Sequence, residues 1–241
     1  MENHDRLLFR RSWLFAGGFT LLLWLVRAVE WGTDSSFGEL GIFPRHVSGM
    51  VGILTAPLVH GDFVHLLSNT FPMLLLLTAV FFIYPKIALQ VFVAVYLITG
   101  FWVWIAAREA YHIGASGLVY GLAAFLFFSG VFRRDVRSMA VAVAIAFLYS
   151  GMLQGLLPGP DTTISWESHL LGAAAGIFCS FYYRRSEGPG VLSQREVVQD
   201  PPVSRTYGFY AFNSTDNQGP YSFYKNEDDD LPERYCYREK E

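Results

Sequence analysis

The sequence predicts an all-α polytopic membrane protein with six membrane-spanning helices. Of its 241 residues, 52% are apolar and only 16% are charged, and the mean hydropathy is +0.30. This composition favours lipid over water as the surrounding medium. The apolar residues form stretches near the ~17–25 residues that a helix needs to cross a bilayer. These six stretches cover residues 12–31, 64–83, 87–107, 114–132, 139–157 and 167–183.

The distribution of basic residues predicts the orientation of the spans. Most cations that flank a span lie on one side of the membrane, which the positive-inside rule identifies as the cytoplasmic side. They are Arg6, Arg10, Arg11, Lys86, Arg133, Arg134, Arg137, Arg184 and Arg185. The other side has Arg45, Arg108 and, at the boundary, Arg27. Both termini are therefore expected in the cytoplasm. The segments expected outside are residues 32–63, 108–113 and 158–166.

The chain divides into two parts of different composition. Residues 1–185 are expected to form the six-helix membrane domain, whereas 186–241 are rich in Gly, Pro, Ser and acidic runs such as NEDDD, which predicts a disordered cytoplasmic tail. The first outer loop contains apolar segments and should pack on the helix bundle, because backbone at membrane depth must be buried in protein or hydrated. The short basic N-terminus lacks the pattern of an organelle transit peptide and favours a bacterial inner membrane.

Charge and cysteine content argue against several partners and cofactors. The net charge is −3, and no basic footprint for nucleic acid is visible. Cys179 and Cys236 indicate neither a disulfide framework nor a clustered metal site. His60, Asp62 and His65 raise the alternative of a metal enzyme. However, these histidines are five residues apart rather than the four of a zinc-binding helix pair, and the Glu of that motif is absent. We therefore expect no metal and no cofactor.

Three of the spans carry strongly polar residues near their outer ends. Such residues are costly in lipid and usually face the bundle interior or a hydrated cavity. The second span is preceded by His60 and contains His65 and Asn69, which are four residues apart and share a helical face. The fourth span places Ser116 and Tyr120 on one face, and the sixth carries His169 about one turn inside.

The common depth of these polar groups predicts a shared cavity. An isolated serine in a membrane helix usually bonds to a carbonyl or packs against a neighbouring helix. Here, however, the starts of the second, fourth and sixth spans lie on the same outer side. Small residues at Gly114, Gly117, Gly172 and Gly176 permit close helix approach, which could bring His169 within hydrogen-bond reach of the fourth span.

Together these residue types suggest acyl-transfer chemistry. The Ser116 hydroxyl becomes a nucleophile when a base such as His169 takes its proton, and the histidine can return that proton to a leaving amine. Candidate donors to the developing oxyanion are Asn69, His65 and the backbone N–H of Ser116. Glu167 lies two residues from the histidine on a different face, so a dyad is favoured over a triad.

The motifs HGDFVHLLSN, GASG followed by Tyr120, and HLLGAAAG resemble the rhomboid family of intramembrane serine proteases. They occur in the family's order and spacing, and the similarity covers roughly residues 10–185. The resemblance implies a six-helix rhomboid-like bundle in which Ser116 is the nucleophile and His169 the general base. It further implies that Tyr120 stacks on that histidine, that His65 and Asn69 form the oxyanion site, and that His60 supports it.

The resemblance also implies a class of substrates, and the sequence departs from the family's pattern at one place. Family members cut single-span or polytopic membrane proteins within or beside a transmembrane segment. The first loop of this chain has FPRHVSG in place of the Trp-Arg pair found in many members.

Two further alternatives are a catalytically inactive relative that acts as a membrane chaperone or trafficking factor, and a small transporter. Inactive relatives generally lack the serine or the histidine, and a transporter would be expected to show repeated, interrupted helices.

Overall fold

The computed structural model describes residues 3–158, 165–186, 221–225 and 235–239. The chain separates into a unit over residues 1–194 and a second unit over 195–241. The described part of the first unit is helical. Its α-helices are α1 (Asn3–Gly32), α2 (Gly52–Thr55), α3 (Phe63–Ile83), α4 (Ala88–Ala106), α5 (Ser116–Arg133), α6 (Val136–Leu148) and α7 (Trp166–Tyr182).

Four of these helices have the length and apolar composition of a membrane span: α1, α3, α4 and α5. The 21 residues of α3 extend about 31 Å, close to the thickness of a bilayer's hydrocarbon core. Large apolar side chains such as Phe71 and Phe147 are 75% and 83% exposed, as expected for groups that face lipid. The protein is therefore an integral membrane protein.

The predicted fifth span over residues 139–157 is wrong in its extent. The α-helix ends at Leu148, and the chain continues as a 3-10 helix over Ser150–Leu156. After the C-cap residue Tyr149 come Ser150 and Gly151, and both of these residue types disfavour continuation of the α-helix. The change in winding matters because it directs the backbone of Gly155 towards α7.

Helix α5 is the centre of the first unit and contacts α3, α4, α6 and α7. Its interface with α7 is built from glycines. A Cβ added to Gly172 would overlap the carbonyl oxygen of Gly117, and one added to Gly176 would overlap that of Gly121. Such small residues let two helix backbones approach closely. The N-termini of α5 and α7 are thereby held side by side.

The first outer loop packs on α4, as the sequence analysis expected. Gly100 of α4 lies against Ile53, since an added Cβ would be 3.0 Å from the Ile53 side chain. The Arg45 guanidinium donates to the carbonyl of Ala107 over 2.7 Å, and the Trp104 indole donates to the carbonyl of His46 over 2.9 Å. Thus the arginine of FPRHVSG anchors the loop to the end of α4.

The described part of the second unit consists of two strands, β1 (Tyr221–Lys225) and β2 (Tyr235–Glu239). They pair antiparallel, with Tyr221 opposite Glu239. The composition of 186–241 predicted disorder, and these strands were not expected. Their sequences, YSFYK and YCYRE, are rich in aromatic residues with high β-propensity. The rest of the expected tail, 187–220, 226–234 and 240–241, lies outside the described residues.

The glycine interface leads to a prediction for Gly172→Ala. The added methyl group would collide with the Gly117 backbone, and overpacking of this kind typically costs about 1–3 kcal/mol. Gly18→Ala in α1 is the matched control, because nothing lies within 4 Å of its added Cβ and both changes gain the same helix propensity. We expect thermal unfolding in detergent to show a lower midpoint for Gly172→Ala than for Gly18→Ala. Equal midpoints would contradict this account of the interface.

Candidate active site

The structure places Ser116 and His169 in direct contact. Ser116 is the first residue of α5, and His169 lies in the first turn of α7. The Ser116 Oγ and His169 Nε2 atoms are 2.8 Å apart, within normal hydrogen-bond distance. His169 is only 8% exposed, and Ser116 is half-buried.

The second ring nitrogen of His169 identifies its tautomer. Its Nδ1 lies 2.9 Å from the carbonyl oxygen of Gly155. Because a carbonyl can only accept, we assign the proton to Nδ1, which donates to it. In the neutral ring Nε2 then has a free lone pair and accepts the hydrogen bond from the Ser116 hydroxyl. No sequence pattern indicated Gly155 as part of the site.

Tyr120 fixes the plane of the His169 ring. The two rings stack with centroids 4.2 Å apart and planes 7° from parallel. A Cβ added to Gly155 would overlap the Tyr120 hydroxyl and lie 3.1 Å from His169 Nδ1. Stacking on one side and the Gly155 backbone at the ring edge therefore restrict both rotation and tilt of the imidazole.

The His65 ring lies against the backbone that leads to Ser116. A Cβ added to Gly114 would be 2.7 Å from both Cε1 and Nε2 of His65, so this approach requires glycine. Gly114 also has φ +103°, a conformation that other residues rarely adopt. The chain turns here and delivers Ser116 to the start of α5.

His60 is a buried support beneath the same turn. It is 1% exposed, and its Nε2 accepts a hydrogen bond from the backbone N–H of Ala115 over 3.3 Å. Burial, with a smaller contribution from neighbouring His65, lowers the pKa of His60 from 6.5 to about 4. The ring is therefore neutral at pH 7, which leaves Nε2 free to accept.

Asn69 lies one helical turn after His65 and is 4% exposed. Its side-chain nitrogen donates to the His65 carbonyl over 3.0 Å, which uses one of its two N–H groups. Ser116 supplies a backbone N–H donor, because the N–H groups in the first turn of a helix have no intrahelical acceptor.

These groups share a cleft of about 720 Å³. Its lining includes His65, Ser68, Asn69, Ser116, Tyr120 and His169. The cleft lies where α3, α5 and α7 begin, so the structure brings together the polar groups of all three helices. Among the described residues no cluster of three or more His, Cys, Asp and Glu side chains could hold a metal ion.

Comparison with known proteins identifies the family. The sequence pattern of the Rhomboid domain matches residues 48–186. This chain belongs to the rhomboid family. The resemblance noted in the sequence is thus confirmed at the level of the family.

Several relatives of this rhomboid protein come from mycobacteria. Uncharacterized proteins of Mycobacterium bovis and Mycobacterium tuberculosis are each 32% identical over 188 residues, which cover 71% of this chain and 77% of each relative. An uncharacterized protein of Mycobacterium leprae is 30% identical over 209 residues, which cover 82% of both chains.

Within the described part of the chain, the two His169 ring nitrogens bond to the Ser116 hydroxyl and the Gly155 carbonyl and not to a carboxylate. Glu167 pairs with Arg108 at 3.3 Å, and Glu30 pairs with Arg27 at 2.7 Å. The second pair stabilises the site indirectly, because Arg27 also donates to the His60 carbonyl over 3.4 Å. Sequence reasoning missed this link, although two opposite charges three residues apart near the end of a span were a usable signal.

The buried His60 leads to a prediction about stability and pH. Its folded-state pKa is about 4 and its ordinary value is 6.5, so the unfolded chain takes up a proton that the folded protein excludes. Stability should therefore fall as the pH drops from about 6.5 towards 4, by about 2 kcal/mol for this group at pH 5. The measurement is the thermal unfolding midpoint in detergent at pH 7 and pH 5.

The comparison is between wild type, His60→Gln and His46→Gln. His60→Gln should reduce the loss of stability on acidification. His46 is exposed in the outer loop, and His46→Gln should lose as much stability on acidification as wild type does. An identical loss in wild type and His60→Gln would contradict the assignment of a neutral, buried His60.

Proposed function

We propose that this protein is an intramembrane serine endopeptidase that hydrolyses peptide bonds within or beside transmembrane segments of other membrane proteins. The observation that carries the proposal is the Ser116 Oγ–His169 Nε2 contact of 2.8 Å, with His169 Nδ1 bonded to the Gly155 carbonyl. This arrangement leaves the basic nitrogen directed at the hydroxyl. It meets the requirement that a weak nucleophile lie beside an oriented base.

The proposed reaction has two stages. Ser116 Oγ attacks the carbonyl carbon of the scissile bond while its proton passes to His169 Nε2. As the C–N bond breaks, the imidazolium returns this proton to the leaving nitrogen, and an acyl-enzyme remains. Water then attacks the acyl carbon and gives a proton to Nε2. That proton returns to Ser116 Oγ when the ester bond breaks, and the carboxylic acid product leaves.

The charge on the tetrahedral intermediate requires nearby donors. The second N–H of Asn69, a ring N–H of His65 and the backbone N–H of Ser116 are the candidates in the cleft. The position of Ser116 at the start of α5 adds the positive end of the helix dipole. The imidazolium has no carboxylate partner in this scheme, and the dipole of the Gly155 carbonyl takes that role.

The proposal includes a topology that exposes the cleft to the outer side. In it α1, α3, α4, α5, α6 and α7 are the six spans, and both termini are cytoplasmic. The mycobacterial relatives favour a bacterial plasma membrane as the location. Single-span or polytopic membrane proteins would reach the cleft from the bilayer, and the cleft volume of about 720 Å³ accommodates an extended peptide segment and water.

The central test compares Ser116→Ala, His169→Ala and their double mutant. Each single substitution should abolish cleavage of a single-span substrate co-reconstituted in liposomes. The double mutant should be no worse than either single mutant, because residues that act in one step are strongly non-additive. A fluorophosphonate probe should label wild type but not Ser116→Ala.

Ser129→Ala is the matched control, since Ser129 is a fully buried serine on the inner part of the same helix. It should cleave at a rate near that of wild type. Cleavage at the wild-type rate by folded Ser116→Ala would overturn the proposal and reduce GASG to a packing motif. The absence of both cleavage and labelling in folded wild type would favour the inactive, chaperone-like alternative.

Asn69→Ala tests the oxyanion assignment separately. Loss of one donor typically lowers the rate by about 10²–10³, and here the loss should be smaller if His65 and the Ser116 N–H share the charge. Turnover should fall while fluorophosphonate still labels Ser116. A loss of thermal stability that fully accounts for the loss of rate would instead indicate that Asn69 only closes a turn of α3 through its bond to His65.

A further inference from the structure

A chain of polar contacts joins the loop that precedes α5 to the start of α7. His112 is 3% exposed, and its Nδ1 lies 2.6 Å from Ser165 Oγ. Ser165 is the N-cap of α7 and also lies 2.7 Å from Ser168 Oγ. The proposed reaction uses none of these three residues.

The directions of these hydrogen bonds follow from one fixed acceptor. His112 Nε2 lies 3.0 Å from the Arg108 carbonyl oxygen, so Nε2 must carry the proton and donate. Burial lowers the pKa of His112, which keeps the ring neutral at pH 7. Its Nδ1 is then an acceptor for the Ser165 hydroxyl. Ser165 Oγ in turn accepts from the Ser168 hydroxyl and from the Ser168 backbone N–H.

This contact has the same register as the contact between Ser116 and His169. His112 lies four residues before Ser116, and Ser165 lies four residues before His169. Both pairs are therefore 53 residues apart in the sequence. The two hydrogen bonds therefore connect the same two chain segments. The His112–Ser165 bond lies just before α5 and α7 start, and the Ser116–His169 bond lies within their first turns.

The His112 backbone is also bonded to the outer loop. It exchanges two hydrogen bonds of 2.9 Å with Ile42 of the outer loop. On the α7 side, the Ser165 carbonyl accepts from the His169 backbone N–H over 3.3 Å. A continuous path of bonds thus runs from the outer loop through His112 and Ser165 to the residue that carries the proposed base.

We propose that His112 is a positioning residue, which holds the first turn of α7 through Ser165 and thereby keeps His169 Nε2 at the Ser116 hydroxyl. This inference rests on the proposed protease function. His112 is not among the residues that line the cleft, so it has no contact with substrate there. Its hydrogen-bonded partner Ser165 does line the cleft, so the test of unchanged substrate binding applies to His112 and not to Ser165.

The experiment uses the full-length protein with His112→Phe, Ser165→Ala and the double mutant. Phe keeps a planar aromatic ring, somewhat larger than imidazole, and removes both nitrogens. We expect each substitution to lower kcat and the rate of fluorophosphonate labelling by roughly tenfold, because small misplacements of reacting groups have effects of this size or larger. The KM should stay within about twofold for His112→Phe, and the double mutant should be no slower than the slower single mutant.

Two further comparisons separate positioning from general destabilisation. Ser165→Thr retains a hydroxyl and should recover most of the rate lost in Ser165→Ala. His46→Phe and Ser48→Ala, both in the exposed part of the outer loop, are matched controls that should react at the wild-type rate. All rates are measured at a temperature where thermal unfolding shows each variant to be folded.

The outcomes distinguish the two proposals. A folded His112→Phe protein with wild-type kcat, or rate losses that multiply in the double mutant, would overturn the positioning role while the protease function stands. A rise in the KM of His112→Phe with unchanged kcat would also overturn the positioning role. If folded wild type neither cleaves nor reacts with the probe, the protease function itself fails, and the positioning role fails with it.

Discussion

The close approach of α5 and α7 is the constraint on which the rest of the site depends. Where Gly172 meets the Gly117 backbone and Gly176 meets that of Gly121, any side chain would push the helices apart. The Ser116–His169 contact is 2.8 Å long, so a separation of even 1 Å more would break it. The apolar core around α5 then secures this geometry from the other sides, with residues such as Leu122 and Phe125 fully buried.

Much of this arrangement could be predicted from the sequence, because membrane insertion restricts the possible structures. Once the spans and their order are set, Ser116, His169 and Asn69 must lie at similar depth, and the glycines indicate which helices touch. The length of the fifth span could not be predicted in this way. Hydropathy does not distinguish an α-helix from the tighter 3-10 winding of 150–156, yet that change places Gly155 beside His169. Because every residue type has a backbone carbonyl, the sequence does not indicate which carbonyl bonds to His169.

The histidines of this protein show how one residue type takes different roles in different surroundings. His60 and His112 are almost fully buried and do not line the cleft; His60 accepts from a backbone N–H, and His112 bonds to a backbone carbonyl and to the Ser165 hydroxyl. His65 and His169 line the cleft. The sequence contains all four near the starts of spans or in the short outer segments. Only the packing separates structural rings from those that line the cleft, since the support role of His60 was implied by the family resemblance alone and no sequence pattern gave a partner for His112.

The Gly155 carbonyl is a backbone atom, and this has a consequence for how the protein can diverge. An orienting carboxylate is recognisable as a side chain, whereas a carbonyl is present in every residue type, and here its place depends on glycine, because a Cβ at position 155 would overlap the Tyr120 hydroxyl. The tautomer of His169 is therefore a property of the path of 150–156 as a whole. Mutations that redirect this segment would alter proton transfer without touching any polar side chain, and inspection of motifs would not detect them. A homologue can thus retain both Ser116 and His169 and still lose its base.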